Sequence, residues 1–243
     1  MSYREHGMSA TLSSFYLLLP SKSRAALIHL GLSAAAVGAV AALTLGRWYP
    51  SGLAEIQGVW HVLGLLIIVD LILGPMLTFI VFAPGKRSLR FDLAVIAAIQ
   101  LAALVYGTWT ITTQRPAYLA FLYDRFYVLT DRDLLNPPPP AIAELTPWKG
   151  GPRPVFVRLS FGAQQEIAGA ATSFDTPAMA LLPEAYAPFA DHIEFISQHA
   201  ESSTDASAGK AAMLRYPVVG RSTTGTAYVD QSGQLLDIVA GNH

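Results

Sequence analysis

No cysteine occurs among the 243 residues of this chain. That absence removes disulfides, thiolate metal sites, iron–sulfur clusters and cysteine nucleophiles together. It leaves the compartment open, because a periplasmic domain of this size folds without disulfides. Charge is scarce as well. Asp, Glu, Lys and Arg make up 14% of the chain, against about 25% in a typical soluble domain. The net charge of −1 offers no basic surface to release phosphate counterions, so nucleic acid is not an expected partner. Phosphate loops, dinucleotide fingerprints and paired-carboxylate motifs are also missing. Ser222, Thr223 and Thr224, beside Gly220 and Gly225, have no nucleophile-elbow or triad context. His192 and His199 stand seven apart without a third ligand, a spacing better read as surface histidines than as a metal site. The expectation is a chain without catalysis, metal or cofactor.

The charge deficit is uneven. From Ala25 to Thr113 the only charges are Arg47, Glu55, Asp70, Lys86, Arg87, Arg90 and Asp92. From Gln114 to His243 there are 9 Lys/Arg and 13 Asp/Glu, a net 9 − 13 = −4. Lipid is the solvent implied for the first half, and water for the second. Three apolar segments, about residues 25–45, 59–83 and 93–111, are each long enough to cross a bilayer core of about 30 Å at 1.5 Å per residue. Lys22 and Arg24 precede the first, and Arg47-Trp48-Tyr49-Pro50 follows it. Those aromatic residues read as an interfacial anchor, and the proline ends the helix. A cleaved signal peptide would share the basic-then-apolar pattern, but this segment is long and two more follow it. Pro84 to Asp92 admits only a tight turn, so the second and third spans are expected to pack as an antiparallel hairpin.

Orientation follows from Lys and Arg in the short connections. Arg4, Lys22 and Arg24 on one side, with Lys86, Arg87 and Arg90 on the second connection, outweigh the single Arg47 on the first. The N-terminus is expected in the cytoplasm of a bacterial inner-membrane protein, with everything beyond Thr113 in the periplasm. The expected division is a cytoplasmic segment 1–24, spans within 25–113 and a periplasmic α+β domain 114–243. Residues 1–20 carry Phe15-Tyr16-Leu17-Leu18-Leu19, too short a run to span; a tail, an interfacial segment and a later start at Met8 are all open.

In the distal part, Tyr118 to Thr130 is rich in aromatics and reads as β structure with a turn or bulge at Asp124-Arg125. The four prolines 137–140 read as polyproline II, with a short helix over 141–145. Pro154 to Ser160 reads as a strand, 163–171 and 183–198 as helical with breaks at Pro183 and Pro188, and 201–209 as a polar loop. Thr226–Asp230 and Gln234–Ala240 form a hairpin around Gly233.

Asp70 is the sharpest anomaly. It lies about twelve residues, roughly 17 Å, from either end of its segment, where a carboxyl normally faces a bundle interior or cavity. It reads as a handle for a partner helix, as a proton-relay carboxyl, or as a neutral acid bonded to Gln100 or Tyr106. Gly74-Pro75 follows: Pro75 lacks an N–H, which should kink the helix and free the Leu71 carbonyl. Either a groove or packing alone is the consequence. Small residues along the first span, among them Gly31, Ser33, Ala36 and Gly38, permit close helix approach, within the bundle or to a foreign helix.

Several stretches together resemble the TfpX/TfpZ family of type IV pilin accessory proteins. They are Ala25–Ser33 with Trp48-Tyr49-Pro50, Val69–Thr78, Phe82–Lys86, Leu89–Ile96, Gln100–Gly107, Arg115–Tyr118 and Asp124-Arg125-Phe126. They cover about residues 24–130; Tyr216-Pro217, Gly220-Arg221 and the last hairpin resemble the family more loosely, and the first twenty residues depart from it. The resemblance implies a pilin-specific chaperone, partnered by a major type IV pilin through its membrane helix and periplasmic head, and embedded in lipid. The expected partner-binding residues are Asp70, Gly74, Pro75, Gln100, Tyr106, Asp124 and Arg125. The short junction Gln114–Tyr118 is expected to hold two such contact surfaces in register. The rivals are a small transporter or membrane enzyme using Asp70, for which inverted repeats are lacking, and a sensor without an output domain.

Overall fold

The computed structural model describes residues 6–158, 176–198 and 213–241, with backbone alone for 6–20. Among the described residues, three helices are long and apolar enough to cross a membrane: Ser21–Trp48, Val59–Val81 and Leu89–Thr113. The α-helical backbone leading into the first begins at His6. The chain divides into two compact units, Met1–Ala41 with His61–Thr110, and Ala42–Trp60 with Ile111–His243.

In the first unit the spans face outward with carbon. Leu27, Leu32, Leu65, Ile80, Ile99 and Leu101 are all exposed, as helices solvated by acyl chains require. The second and third spans meet in reversed sequence order, Leu66 against Gly107 and Gly74 against Gln100, which is the antiparallel hairpin. Glycine is needed at both crossings: a Cβ on Gly107 would lie 2.8 Å from Leu66 Cδ2, and one on Gly74 would lie 2.6 Å from the Gln100 amide carbon. The turn between these spans contains Gly85 at φ +82°, and Lys86 pairs with Asp92 at 2.6 Å.

Among the described residues, the second unit is built on a seven-stranded mixed sheet. Its strands are β1 (Tyr118–Leu122), β2 (Arg125–Leu129), β3 (Arg153–Val157), β4 (Tyr186–Pro188), β5 (Leu214–Val219), β6 (Thr224–Val229) and β7 (Leu235–Ala240), in spatial order β4-β3-β1-β2-β5-β6-β7. β1 and β2 form an antiparallel hairpin, while β1 with β3 and β2 with β5 run parallel. β1 is buried along its whole length. One of its faces sends Tyr118, Ala120 and Leu122 into a core with Tyr127, Val155, Met179 and Tyr186. The opposite face sets Phe121 edge-on to Phe126 at 5.1 Å, to Tyr216 at 5.2 Å and to Phe189 at 5.7 Å. Offset and edge-on pairs of this kind add to the area they bury.

The expected strand at 118–130 is the β1–β2 hairpin, with Tyr123 and Asp124 in its turn. The short helix is Pro140–Ala143, and the closing hairpin is β6–β7 with Gly233 at φ +84°. The segment 183–198 departs from an interrupted helix: between 3₁₀ turns it contributes β4, and only Ile193–Gln198 is α-helical. The expectations at 163–171, at 201–209, at His199 and at the last residues of 154–160 lie outside the described residues.

The connection Gly46–Gly58 is far more than a link. Leu53–Ile56 forms one helical turn in which Leu53 and Ile56 are fully buried. Gly52 N donates to the Ile238 carbonyl on β7 at 2.9 Å, and the Ile56 carbonyl accepts from Ser222 N at 2.9 Å. The Ile56 side chain fits where Gly225 has no Cβ, since one there would lie 2.6 Å from Ile56 Cδ1. The Tyr49 hydroxyl donates to the Ile111 carbonyl at 2.9 Å. Burial raises that phenol's pKa well above the tyrosine range, against the pull of Arg221 and Arg115. Gln57 donates to the Val128 carbonyl at 3.4 Å and accepts from Arg221 N at 3.4 Å. This loop is part of the sheet domain's interior.

Candidate functional site

Asp70 sits eleven residues from each end of the helix Val59–Val81 and is 4% exposed. The helix is not regular there. Ile67–Leu73 is π-helical, and the Gly74 N–H closes the segment by bonding the Val69 carbonyl, five residues back. In α register the missing N–H of Pro75 would free Leu71; in this wider register it frees the carbonyl of Asp70. Gln100 answers it. Its Nε2 donates to the Asp70 backbone oxygen at 3.3 Å, across the gap that Gly74 leaves open. Asp70, Gly74, Pro75 and Gln100 thus form one constellation, with Gly74 permitting the approach and Pro75 supplying the acceptor.

The constellation is not saturated. Gln100 is 8% exposed, and among the described residues neither its Oε1 nor Asp70 Oδ2 has a hydrogen-bond partner. Both residues line a cleft of about 530 Å³ bounded by all three spans. Its walls are almost all carbon, with His29, Ser33 and Thr78 as the other polar groups. His29 Nδ1 and Thr78 Oγ1 lie 2.6 Å apart and satisfy one another. The Thr78 contact carried no sequence signal, because a helical threonine ordinarily bonds its own backbone.

Tyr106 is elsewhere. It is 65% exposed, its ring centroid 6.2 Å from that of Trp109, an aromatic pair toward one end of the third span, as at a membrane interface. In the second unit, Asp124 and Arg125 pair with each other at 2.8 Å at the tip of the β1–β2 hairpin. Tyr123 beside them is half exposed at φ +60°, a conformation costly for a residue with a Cβ. His192 lies against Phe156, ring centroids 4.3 Å apart. No cluster of metal-ligating side chains occurs among the described residues.

The family profile of fimbrial assembly protein FimB matches residues 18–58, which are the first span and the loop buried in the sheet domain. Over a longer stretch the chain is 31% identical to the fimbrial assembly protein of serogroup I from Dichelobacter nodosus, across 178 residues covering 72% of this chain and 69% of that one. The chain belongs to the fimbrial assembly protein FimB family. The serogroup E1 protein of the same organism is 30% identical over the same shares of both chains. The protein of serogroups C1 and C2 is 34% identical over 110 residues, 44% of this chain and 84% of that relative. No solved structure matches the chain. Within the FimB family match, the profile covers His29, Ser33 and Ala36 of the cleft wall but ends before Asp70. The TfpX/TfpZ resemblance is consistent with this family and narrower than it.

Proposed function

We propose that this protein is an inner-membrane accessory protein that binds a cognate type IV pilin subunit and assists its stability or its assembly into pili. The observation that carries the reading is the cleft among the spans, with two buried acceptors unspent at mid-depth, in a chain whose relatives are named fimbrial assembly proteins. A membrane protein has little reason to leave such groups unpaired in hydrocarbon unless something visits them. In this reading the N-terminus is cytoplasmic and the sheet domain is periplasmic, following the Lys and Arg bias. An unassembled pilin has its apolar helix in the bilayer and its head in the periplasm, so each part faces one unit of the chaperone. Asp70, Gly74, Pro75 and Gln100 serve the helix. Tyr106, Asp124 and Arg125 are further contact residues, and the role involves no catalysis or cofactor.

The test is a detergent pull-down of the tagged protein from piliated cells, with pilin levels and surface pili followed in a deletion strain. Pilin is expected to co-purify, and piliation to fall without the protein. Absence of pilin from the eluate, with normal piliation in the deletion strain, defeats the reading.

A further inference from the structure

We infer that the cleft between the first and third spans is a seat for one foreign transmembrane helix, and that this helix carries a hydrogen-bond donor near its middle to meet Asp70 and Gln100. The inference rests on the pilin reading and names the part of the client that the membrane unit recognises.

Three observations converge on it. The first is depth. Asp70 is eleven residues from both ends of its span, and Gln100 is eleven from the start and thirteen from the end of Leu89–Thr113. Their free oxygens therefore lie about 16 Å inside the bilayer. Any group that reaches them has to come through hydrocarbon, where each unpaired polar atom costs several kcal/mol.

The second is access. Ile28, Leu32 and Leu101 on the rim are exposed, so the cleft opens sideways onto lipid instead of being sealed. Ala25, Ser33 and Ala36 form one wall, with Leu93, Ala97 and Leu101 on the other. Small side chains on one wall let a helix backbone come close. A helix is about 10–12 Å across with its side chains, so it fits as a partly embedded guest.

The third is chemical complementarity, which discriminates among occupants. An acyl chain fills the apolar walls but has no N–H or O–H for the two oxygens. A second copy of this chain is no better suited at that depth. Among the described residues of the spans, the exposed side chains with a donor are Ser23, Arg24, Arg47, Trp60, His61, Arg90, Tyr106 and Trp109, all away from mid-span. A foreign helix with a hydroxyl, amide or protonated acid at its centre suits the walls and, once the buried Asp70 or Gln100 side chain turns toward the cleft, the oxygens.

Site-specific photocrosslinking tests this in the full chain in its native membrane. A benzophenone residue goes at Ala97 in the cleft, and separately at Ile80, exposed on the second span outside it. The expected result is an adduct with the pilin, mapped to its transmembrane helix, from position 97 and not from 80. Asp70→Leu is expected to lower that adduct about 3- to 30-fold, the range for one interhelical hydrogen bond in a membrane. Ala36→Leu, which fills the cleft without touching the polar pair, is expected to lower it comparably while protein levels hold. An adduct with a second copy of this chain overturns the inference, as does a yield unchanged by both variants. If pilin still co-purifies but position 97 captures only lipid, the cleft inference falls and the pilin reading stands. If pilin neither co-purifies nor crosslinks, both fall together.

Discussion

Replacing Ile56 by alanine should loosen the sheet domain from a site outside the sheet's own sequence. Ile56 belongs to the connection between the first two spans, yet it is fully buried against Gly220 and Gly225. The substitution removes three carbons, worth about 2.4 kcal/mol at roughly 0.8 kcal/mol per buried methylene. The cavity left behind brings the loss to about 3 kcal/mol, within the 2–5 kcal/mol of buried Ile-to-Ala changes. A loss of that size raises the open population of the local structure over a hundredfold. The chain has no cysteine, so a single reporter can be read without background. Ala227→Cys places the thiol on β6 at a fully buried position, where maleimide labelling in detergent tracks opening. Ile56→Ala in that background should label over a hundredfold faster. Leu65→Ala, on an exposed face of the second span, should label at the parental rate. If Ile56→Ala stays within a few-fold of parent, the loop does not hold the sheet and the account of the second unit is wrong.

Two further outcomes are expected of the same domain. Tyr123→Gly relieves a side chain held at φ +60° and should stabilise the hairpin by about 1 kcal/mol, read as a raised midpoint in a urea titration; a lowered midpoint contradicts the strain. Asp237 is lowered below the ordinary carboxylate value although burial opposes it, because Ser51 and Lys149 hydrogen-bond its charged form. Its contribution is therefore present above about pH 4, the unfolded aspartate range, and lost as pH falls through the lower folded value. Asp237→Asn should flatten the acid limb of stability against pH, and an unchanged limb refutes the assignment.

The spans were plain in the sequence because lipid tolerates nothing else: a run of some twenty apolar residues has one common fate. Asp70 and Gln100 stood out for the same reason, since polar atoms at that depth need partners, and one bond between them is present. What composition concealed was register. Pro75 announces an irregular helix, but only the π segment decides that Asp70, not Leu71, presents the free carbonyl. The buried loop 46–58 was illegible because a short connection with ordinary residues looks alike whether it is solvated or inserted. β5 was missed because Pro217 argues against a central strand. Its ladder to β2 involves only Val218 and Val219, so the proline precedes that pairing. β4 is three residues long, below what alternation can reveal.

Under the proposed pilin-binding role the client has to be released to the growing fibre, and this sets limits on the chemistry of the proposed seat. A salt bridge sealed in hydrocarbon would hold a client helix too firmly, while an all-carbon groove would not tell it from lipid. Two uncharged-partner hydrogen bonds at mid-span fall between these extremes, each worth about 0.6–2 kcal/mol. That is enough to favour a guest with a donor over an acyl chain by a few-fold to several hundredfold, and small enough for the growing fibre's own contacts to outbid. On that proposal, the unsaturated oxygens of Asp70 and Gln100 would select a helix without trapping it. Asp70→Leu should impair the choice of client more than the integrity of the bundle, so pilin capture should fall while the protein still accumulates in the membrane.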